Sequence, residues 1–220
     1  MLRENLEAVE ERIARAVQKC GRKREEITLV AVTKVFPADV ILEGYELGLR
    51  DFGENYVQEF QGKFPVVKGL QEARFHLIGH LQSNKSRVAA EMFDVIETVD
   101  SAKLASRLNS ADKPVEIMLE VKLSEEESKA GAPPEELAAL AEAVRGCPNL
   151  QLTGLMTMPP WNDEAEPSRH YFRRLKELAD QLELRKLSMG MSHDFEVAIE
   201  EGSTHIRVGT ALFGRRRKPV

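Results

Sequence analysis

Cysteine is scarce in this sequence: Cys20 and Cys147 are the only two in 220 residues. They are too few and too far apart for a disulfide framework, and no third or fourth ligand at close spacing completes a zinc site. That scarcity fits a reducing, cytoplasmic setting. Long apolar runs are also missing, since no stretch approaches the roughly 18 residues of a membrane-spanning helix. The opening segment, MLRENLEAVEERIARAVQKCGR, is charged at helical spacing and lacks the continuous apolar core of a signal peptide. No membrane partner is expected. A basic surplus is lacking too: 31 lysines and arginines stand against 36 aspartates and glutamates, a formal charge of −5. Such a chain offers no cationic field to nucleic acid or anionic lipid, so a small-molecule ligand is the expectation. Low-complexity linkers and sequence repeats are absent, and no domain boundary is drawn within residues 1–220. What is present is 42% hydrophobic and 30% charged residues. That is enough to bury a sizeable core, in a length α/β barrels often reach as one domain.

Leu2, Leu6, Val9, Ile13, Ala16 and Val17 recur at three- and four-residue steps, the stripe of an amphipathic helix over residues 2–20. The run ITLVAVTK, ending at Lys34, is β-branched and almost wholly apolar, as in a parallel strand covered on both faces. The unit of strand, polar loop and helix then recurs. Strands are predicted near 51–53, 74–78, 94–98, 115–121, 151–155, 185–189 and 205–208. Helices are predicted near 38–48, 55–70, 83–91, 101–110, 133–145, 165–183 and 193–202. Ser101 suits a helix cap, Pro133 and Pro134 a helix opening, and Gly146 a helix end. Eight strands alternating with seven helices imply parallel strands joined by crossovers, and eight strands close a barrel. The expected fold is a single α/β domain, a (β/α)8 TIM-type barrel with an extra N-terminal helix. An open doubly wound sheet is the alternative.

The active site of such a barrel lies at the C-terminal ends of its strands. Lys34 ends the first strand; Glu54 and Asn55 follow the second; Gly79, His80, Gln82, Ser83 and Asn84 follow the third; Met156 and Thr157 follow the sixth. Behind an apolar strand, a desolvated lysine loses proton affinity and becomes a nucleophilic amine, as an aldehyde cofactor requires. An isolated lysine at a strand end more often only snorkels to water. MGMSHD and RVGTALFG place small residues and hydroxyls where a strand turns into a helix. Free N–H groups and the helix dipole attract anions there, and barrel phosphate sites commonly follow strands seven and eight. Each loop alone reads equally well as an ordinary turn. Arg207, two residues before Gly209, is turned inward by strand alternation. Beside a pyridine nitrogen it would donate a hydrogen bond and keep that nitrogen unprotonated; the alternative is an ion pair with a neighbour such as Glu196. His76 and His80 share no helix and no nearby carboxylate is expected to complete a metal set, so no metal site is expected. Asn84, Lys85 and Arg87 open a helix where an anion could bind, although a solvated polar face is the commoner arrangement.

The segments VAVTK, RDFGENYVQE, FHLIGHLQSNK, SKAG, GLMTM and LSMGMSHDFEVAIEEGSTHIRVGTALFG, in this order, resemble the PLP homeostasis protein family, also called the proline synthase co-transcribed homologs. The resemblance spans nearly the whole chain and is most specific from Leu187 to Gly214. It implies a fold similar to the N-terminal barrel of alanine racemase, with pyridoxal 5′-phosphate (PLP) as cofactor and Lys34 as its Schiff-base lysine. It also implies that Ser192, Gly209 and Thr210 hold the phosphate and that Arg207 faces the pyridine nitrogen. Asn55 and Met156, at the rim, complete the expected cofactor-binding set. Lys129, in SKAG, matches a second family lysine suggested to handle PLP away from the main site, although its charged loop reads as solvated. The departures are VFPAD after Lys34, in place of the usual lysine-proline, and APPEE after SKAG. Neither touches a residue expected to bond PLP. The basic RRRKPV reads as a disordered end.

Racemisation needs acid/base groups on both faces of the substrate Cα and a site for its carboxylate. The resembling racemases take one of these groups, a tyrosine, from a second β-rich domain, and this sequence ends after the barrel. Tyr45, Tyr56 and Tyr171 fall on expected helices, with only Tyr56 near the mouth. The expectation is a non-catalytic cytoplasmic protein, monomer or weak dimer, that buffers PLP, serves vitamin B6 homeostasis and supplies apo PLP-dependent enzymes. The alternatives are a PLP-dependent amino-acid racemase and a barrel for another phosphate ester, with Lys34 as an electrostatic clamp.

Overall fold

The apolar stripe of the first segment forms α1 (Leu2–Cys20), which buries Leu2, Val9, Ile13, Ala16 and Val17. In this computed structural model, which describes residues 1–126 and 130–214, eight parallel strands follow it and close into a barrel in sequence order. They are β1 (Thr28–Val32), β2 (Asp51–Glu54), β3 (Arg74–Leu77), β4 (Val95–Val99), β5 (Val115–Glu120), β6 (Leu150–Met156), β7 (Lys186–Met191) and β8 (His205–Val208). The barrel closes where β1 pairs with β8, from Thr28 opposite His205 to Ala31 opposite Val208. This pairing excludes the open-sheet alternative.

The crossover helices are α2 (Ala38–Glu46), α3 (Val57–Val67), α4 (Ser86–Met92), α5 (Ala102–Leu108), α6 (Leu137–Arg145), α7 (Arg169–Gln181) and α8 (Phe195–Glu200). Several are shorter than their apolar patterns suggest, because a turn of 3-10 helix leads into α4, α6 and α7. The Ser101 hydroxyl caps α5 by accepting from Leu104 N, Pro133 precedes the 3-10 turn before α6, and Gly146 follows the end of α6. A last short helix, α9 (Thr210–Phe213), begins where RVGTALFG was expected to turn from strand into helix. None of the described helices is long and apolar enough to cross a membrane.

The main core lies between barrel and helices. There Phe60 of α3 stacks among Phe75 and Phe93 with ring centroids 4.9 and 4.7 Å apart, and burying one such ring is worth on the order of 2–3 kcal/mol. At Gly190 the close approach of β7 to α8 requires glycine: φ is +93°, and a Cβ there would lie 2.5 Å from the Ala198 Cβ.

The barrel interior is different in kind. It holds a small apolar cluster of Val95, Met118 and Met156 beside a file of buried polar side chains, including His76, Glu97, Ser188 and Arg207. Outside, α1 braces the loop after β7 and the last helix. Arg12 donates to both carboxylate oxygens of Glu196 at 2.8 and 2.6 Å and to Ser192 O at 3.1 Å, while Asn5 Nδ2 donates to Leu212 O at 2.7 Å.

Candidate cofactor site at the barrel mouth

A cavity of about 470 Å3 opens at the C-terminal ends of the strands, within the range of about 300–1,000 Å3 usual for small-molecule sites. Its walls gather six of the seven residues expected to bind the cofactor: Lys34, Asn55, Ser192, Arg207, Gly209 and Thr210. Lys34 does not end β1, which stops at Val32; it stands two residues beyond, in a turn, half-buried. Asn55 follows β2 and lines the wall, and its side-chain oxygen is buried without a hydrogen-bond partner. The carboxamide can present oxygen or nitrogen by rotation, so a ligand of either polarity satisfies it. Gly79 lets the loops after β2 and β3 meet, because a Cβ there would sit 2.2 Å from Asn55 O.

Met156 is a correction. It is the last residue of β6, wholly buried with Val95 and Met118 in the barrel interior, and it is not on the cavity wall. Two residues on, Met158 takes that place, with Trp161 beyond it. Trp161, the one tryptophan of the sequence, packs against His193 of the β7–α8 loop with ring centroids 4.1 Å apart. Sequence reasoning missed Met158 and Trp161 as wall residues, while His193 lies in the MGMSHD loop expected at the mouth; a lone tryptophan in the polar loop PPWND was the available signal.

Opposite Lys34, the loops after β7 and β8 form one unit. The Ser192 hydroxyl accepts from Gly209 N at 3.3 Å and Ala211 N at 3.2 Å, tying the first loop to the start of α9. Asp194, nearly fully buried, accepts from Met191 N at 2.7 Å and fixes the bend before α8. Small residues, hydroxyls and backbone N–H groups thus face the same space, the arrangement that receives a phosphate at a helix start. Thr210 stands at its exposed edge.

Arg207 reaches the cavity floor from β8 with only 3% of its surface exposed. The proposed pairing with Glu196 does not occur, since Glu196 is engaged by Arg12. Arg207 instead donates to Ser188 Oγ at 2.7 Å and Thr157 O at 2.9 Å. Burial lowers its pKa, against the pull of the Glu97, Asp194 and Glu120 charges, yet a guanidinium keeps its proton in proteins. From Arg207 the contacts continue down the barrel. Ser188 Oγ donates to Glu97 Oε2 at 2.5 Å, Glu97 Oε1 meets His76 Nδ1 at 2.7 Å, and His76 Nε2 meets Asp51 Oδ1 at 2.9 Å. Burial alone would lower the His76 pKa, but hydrogen bonds to Asp51 and Glu97 and their charges outweigh it and raise the pKa to about 9. The cation and the anions therefore alternate along the file.

Two carboxylates contact His76, but they occupy its opposite ring nitrogens and so cannot share one metal ion with it. Among the described residues no cluster could hold a metal. His80, Gln82 and Lys85 border a separate hollow. The Tyr45 hydroxyl donates to Gln71 O, Tyr56 is exposed outside the cavity wall, and Tyr171 borders another cleft. Lys129 and the RRRKPV end fall outside the described residues.

The alanine racemase N-terminal domain family matches residues 5–217. The pyridoxal phosphate homeostasis protein of Pseudomonas aeruginosa is 46% identical over 219 residues, covering 97% of this chain and 95% of that one. The chain belongs to the pyridoxal phosphate homeostasis protein family. The Escherichia coli member is 42% identical over 96% of this chain and 95% of its own length. Among solved structures, PipY of Synechococcus elongatus with PLP bound is 36% identical, with a TM-score of 0.84 over 97% of this chain and 100% of that one. An alanine racemase from Clostridium difficile, at 15% identity and a TM-score of 0.73 over 99% of this chain and 57% of its own, shares the fold.

Proposed function

We propose that this protein holds PLP reversibly at the barrel mouth and contributes to PLP homeostasis as a carrier, without substantial turnover of its own. The observation that carries this reading is one cavity in which a lysine, a buried arginine and a doubly anchored serine-glycine loop face a common space. The naming of its relatives and the PLP held by PipY support it. When bound, PLP supplies an aldehyde that condenses with a primary amine. Lys34 provides that amine. Ser192, Gly209 and Thr210 would hold the phosphate, and Arg207, fixed by Ser188 and Thr157, would donate to the ring nitrogen and leave it unprotonated. Asn55 would bring its unmatched carboxamide to a polar substituent, and Met158 would cover one side of the ring, with the exposed Trp161 at the rim.

A carrier role is consistent with a cavity on which no tyrosine hydroxyl is found among the described residues; the carrier would be a cytoplasmic monomer or weak dimer that donates to apo PLP-dependent enzymes. The competing reading, an amino-acid racemase, rests on His193, an imidazole on the cavity wall that could serve a second substrate face.

The test is absorption spectroscopy of the wild type and Lys34→Ala with added PLP, followed by borohydride reduction and mass mapping. A reducible adduct on Lys34 that Lys34→Ala abolishes supports the proposal; labelling that survives the substitution overturns it. Sustained interconversion of D- and L-amino acids by the loaded protein would replace the carrier by the racemase.

A further inference from the structure

We propose that Glu59 and the buried Lys63 on α3 form a clamp that fixes the turn carrying Lys34, and so set how its amine is presented to the cavity. The clamp deepens the functional reading of Lys34 and rests on it. Both chain neighbours of Lys34 are tied to the same ammonium. On one side Thr33 is fully buried, and its carbonyl accepts from Lys63 Nζ at 3.0 Å. On the other, Val35 N donates at 2.6 Å to Glu59 Oε1, which itself accepts from Lys63 Nζ at 2.6 Å. The third Lys63 proton goes to Glu54 Oε1 at 2.7 Å, and the Thr33 hydroxyl donates to the same oxygen at 2.7 Å. Three donors thus meet three acceptors, the full capacity of an ammonium.

Two features show that this turn is held rather than relaxed. Val35 has φ +63°, a left-handed conformation that a β-branched residue rarely adopts. The residue is 56% exposed, so little packing of its own offsets the strain. Lys63, meanwhile, is only 6% exposed, and a buried ammonium persists only where acceptors compensate its lost hydration. Glu59 and Lys63 are four apart on α3, the spacing that puts both on one helix face beneath the turn. Burial also raises the pKa of Glu54, with Lys63 and Thr33 pulling it down. A surface helix pair that left the surface to grip the two residues flanking one lysine orients that lysine before any ligand arrives, which removes an ordering cost from its reaction.

Val35→Gly separates this role from stability, since glycine accepts the positive φ without strain. The clamp requires its unfolding midpoint to hold or rise while PLP adduct formation slows by about tenfold, an order typical of lost orientation. Glu59→Ala should slow it similarly and expose Val35 N–H to hydrogen exchange. Glu59→Gln, which keeps an acceptor, should recover most of the rate and the protection. The pH profile of Lys34 acylation by acetic anhydride, mapped by mass spectrometry, reads the same presentation without PLP. It should change in Val35→Gly and Glu59→Ala. Wild-type adduct rates and an unaltered acylation profile in both variants overturn the clamp. Failure of wild-type PLP to label Lys34 would instead overturn the functional reading, leaving the acylation profile to decide the clamp separately.

Discussion

His76 and His205 lie with ring centroids 6.1 Å apart inside the barrel, and their pKa values move in opposite directions. His76 has a carboxylate on each ring nitrogen and rises from 6.5 to about 9. His205 has the Thr204 hydroxyl on Nδ1; burial chiefly, with the repulsion of His76, lowers it from 6.5 to about 4, against the Glu97 charge. A raised folded pKa contributes stability that is complete below the unfolded value and lost as pH rises through the folded one. For His76 that window runs from pH 6.5 to about 9, and at 1.36 kcal/mol per pKa unit the loss is on the order of 3 kcal/mol. A lowered folded pKa gives the reverse: His205 contributes stability present above pH 6.5 and lost as pH falls toward about 4, again on the order of 3 kcal/mol. Stability should therefore peak near pH 6.5 and decline on both sides. Urea unfolding across this range, with and without His205→Gln, checks the acid limb. The substitution should remove the fall between pH 6.5 and about 4, leaving the steeper acid loss of carboxylates held low, such as Glu116, and the opposite contribution of Glu54, whose pKa burial raises. His76→Gln should flatten the alkaline limb and lower stability at neutral pH, because Glu97 and Asp51 lose the cation between them. A wild-type unfolding free energy that stays level from pH 6.5 to pH 9 would refute the protonated file.

Two further outcomes are expected. Gly190→Ala combines a φ of +93° with a Cβ placed 2.5 Å from Ala198 Cβ, so urea unfolding should show a loss of about 2–4 kcal/mol; a smaller loss would mean that β7 and α8 separate easily. Trp161 lines the cavity and is the single tryptophan. Its fluorescence should fall as PLP binds, by energy transfer to the cofactor, and the signal should vanish in Trp161→Phe while borohydride labelling persists.

The barrel was legible because parallel strands announce themselves as short apolar runs separated by helix-length amphipathic stretches, and β1 and β8 needed no more than that. The loops carrying Ser192 and Gly209 were legible for the same reason, as they follow the seventh and eighth such runs. Met156 was misplaced by the vertical spacing of side chains within a barrel. Residues two apart stand at different depths along the barrel axis, so Met156, the last of β6, closes the interior and Met158, beyond the strand, reaches the cavity. Lys63 was invisible because a lysine four residues after a glutamate on a helix reads as a solvated ion pair. Only the approach of α3 to the end of β1 buries it. The file of His76, Glu97, Ser188 and Arg207 joins four strands. Alternation along each strand can point a side chain inward, but it does not choose the partner across the barrel.

The pairing of β1 with β8 has a consequence for folding order. Lys34 lies just beyond one edge of this seam and Arg207, Gly209 and Thr210 on the other, so the cavity walls belong to the contacts of largest sequence separation in the fold. Such contacts carry the greatest loop-closure entropy and form late. A ligand bonded to both edges acts as a buckle on the last join of the ring, slowing its reopening without hastening its closure. Loading should accordingly lengthen the native lifetime more than it shortens refolding.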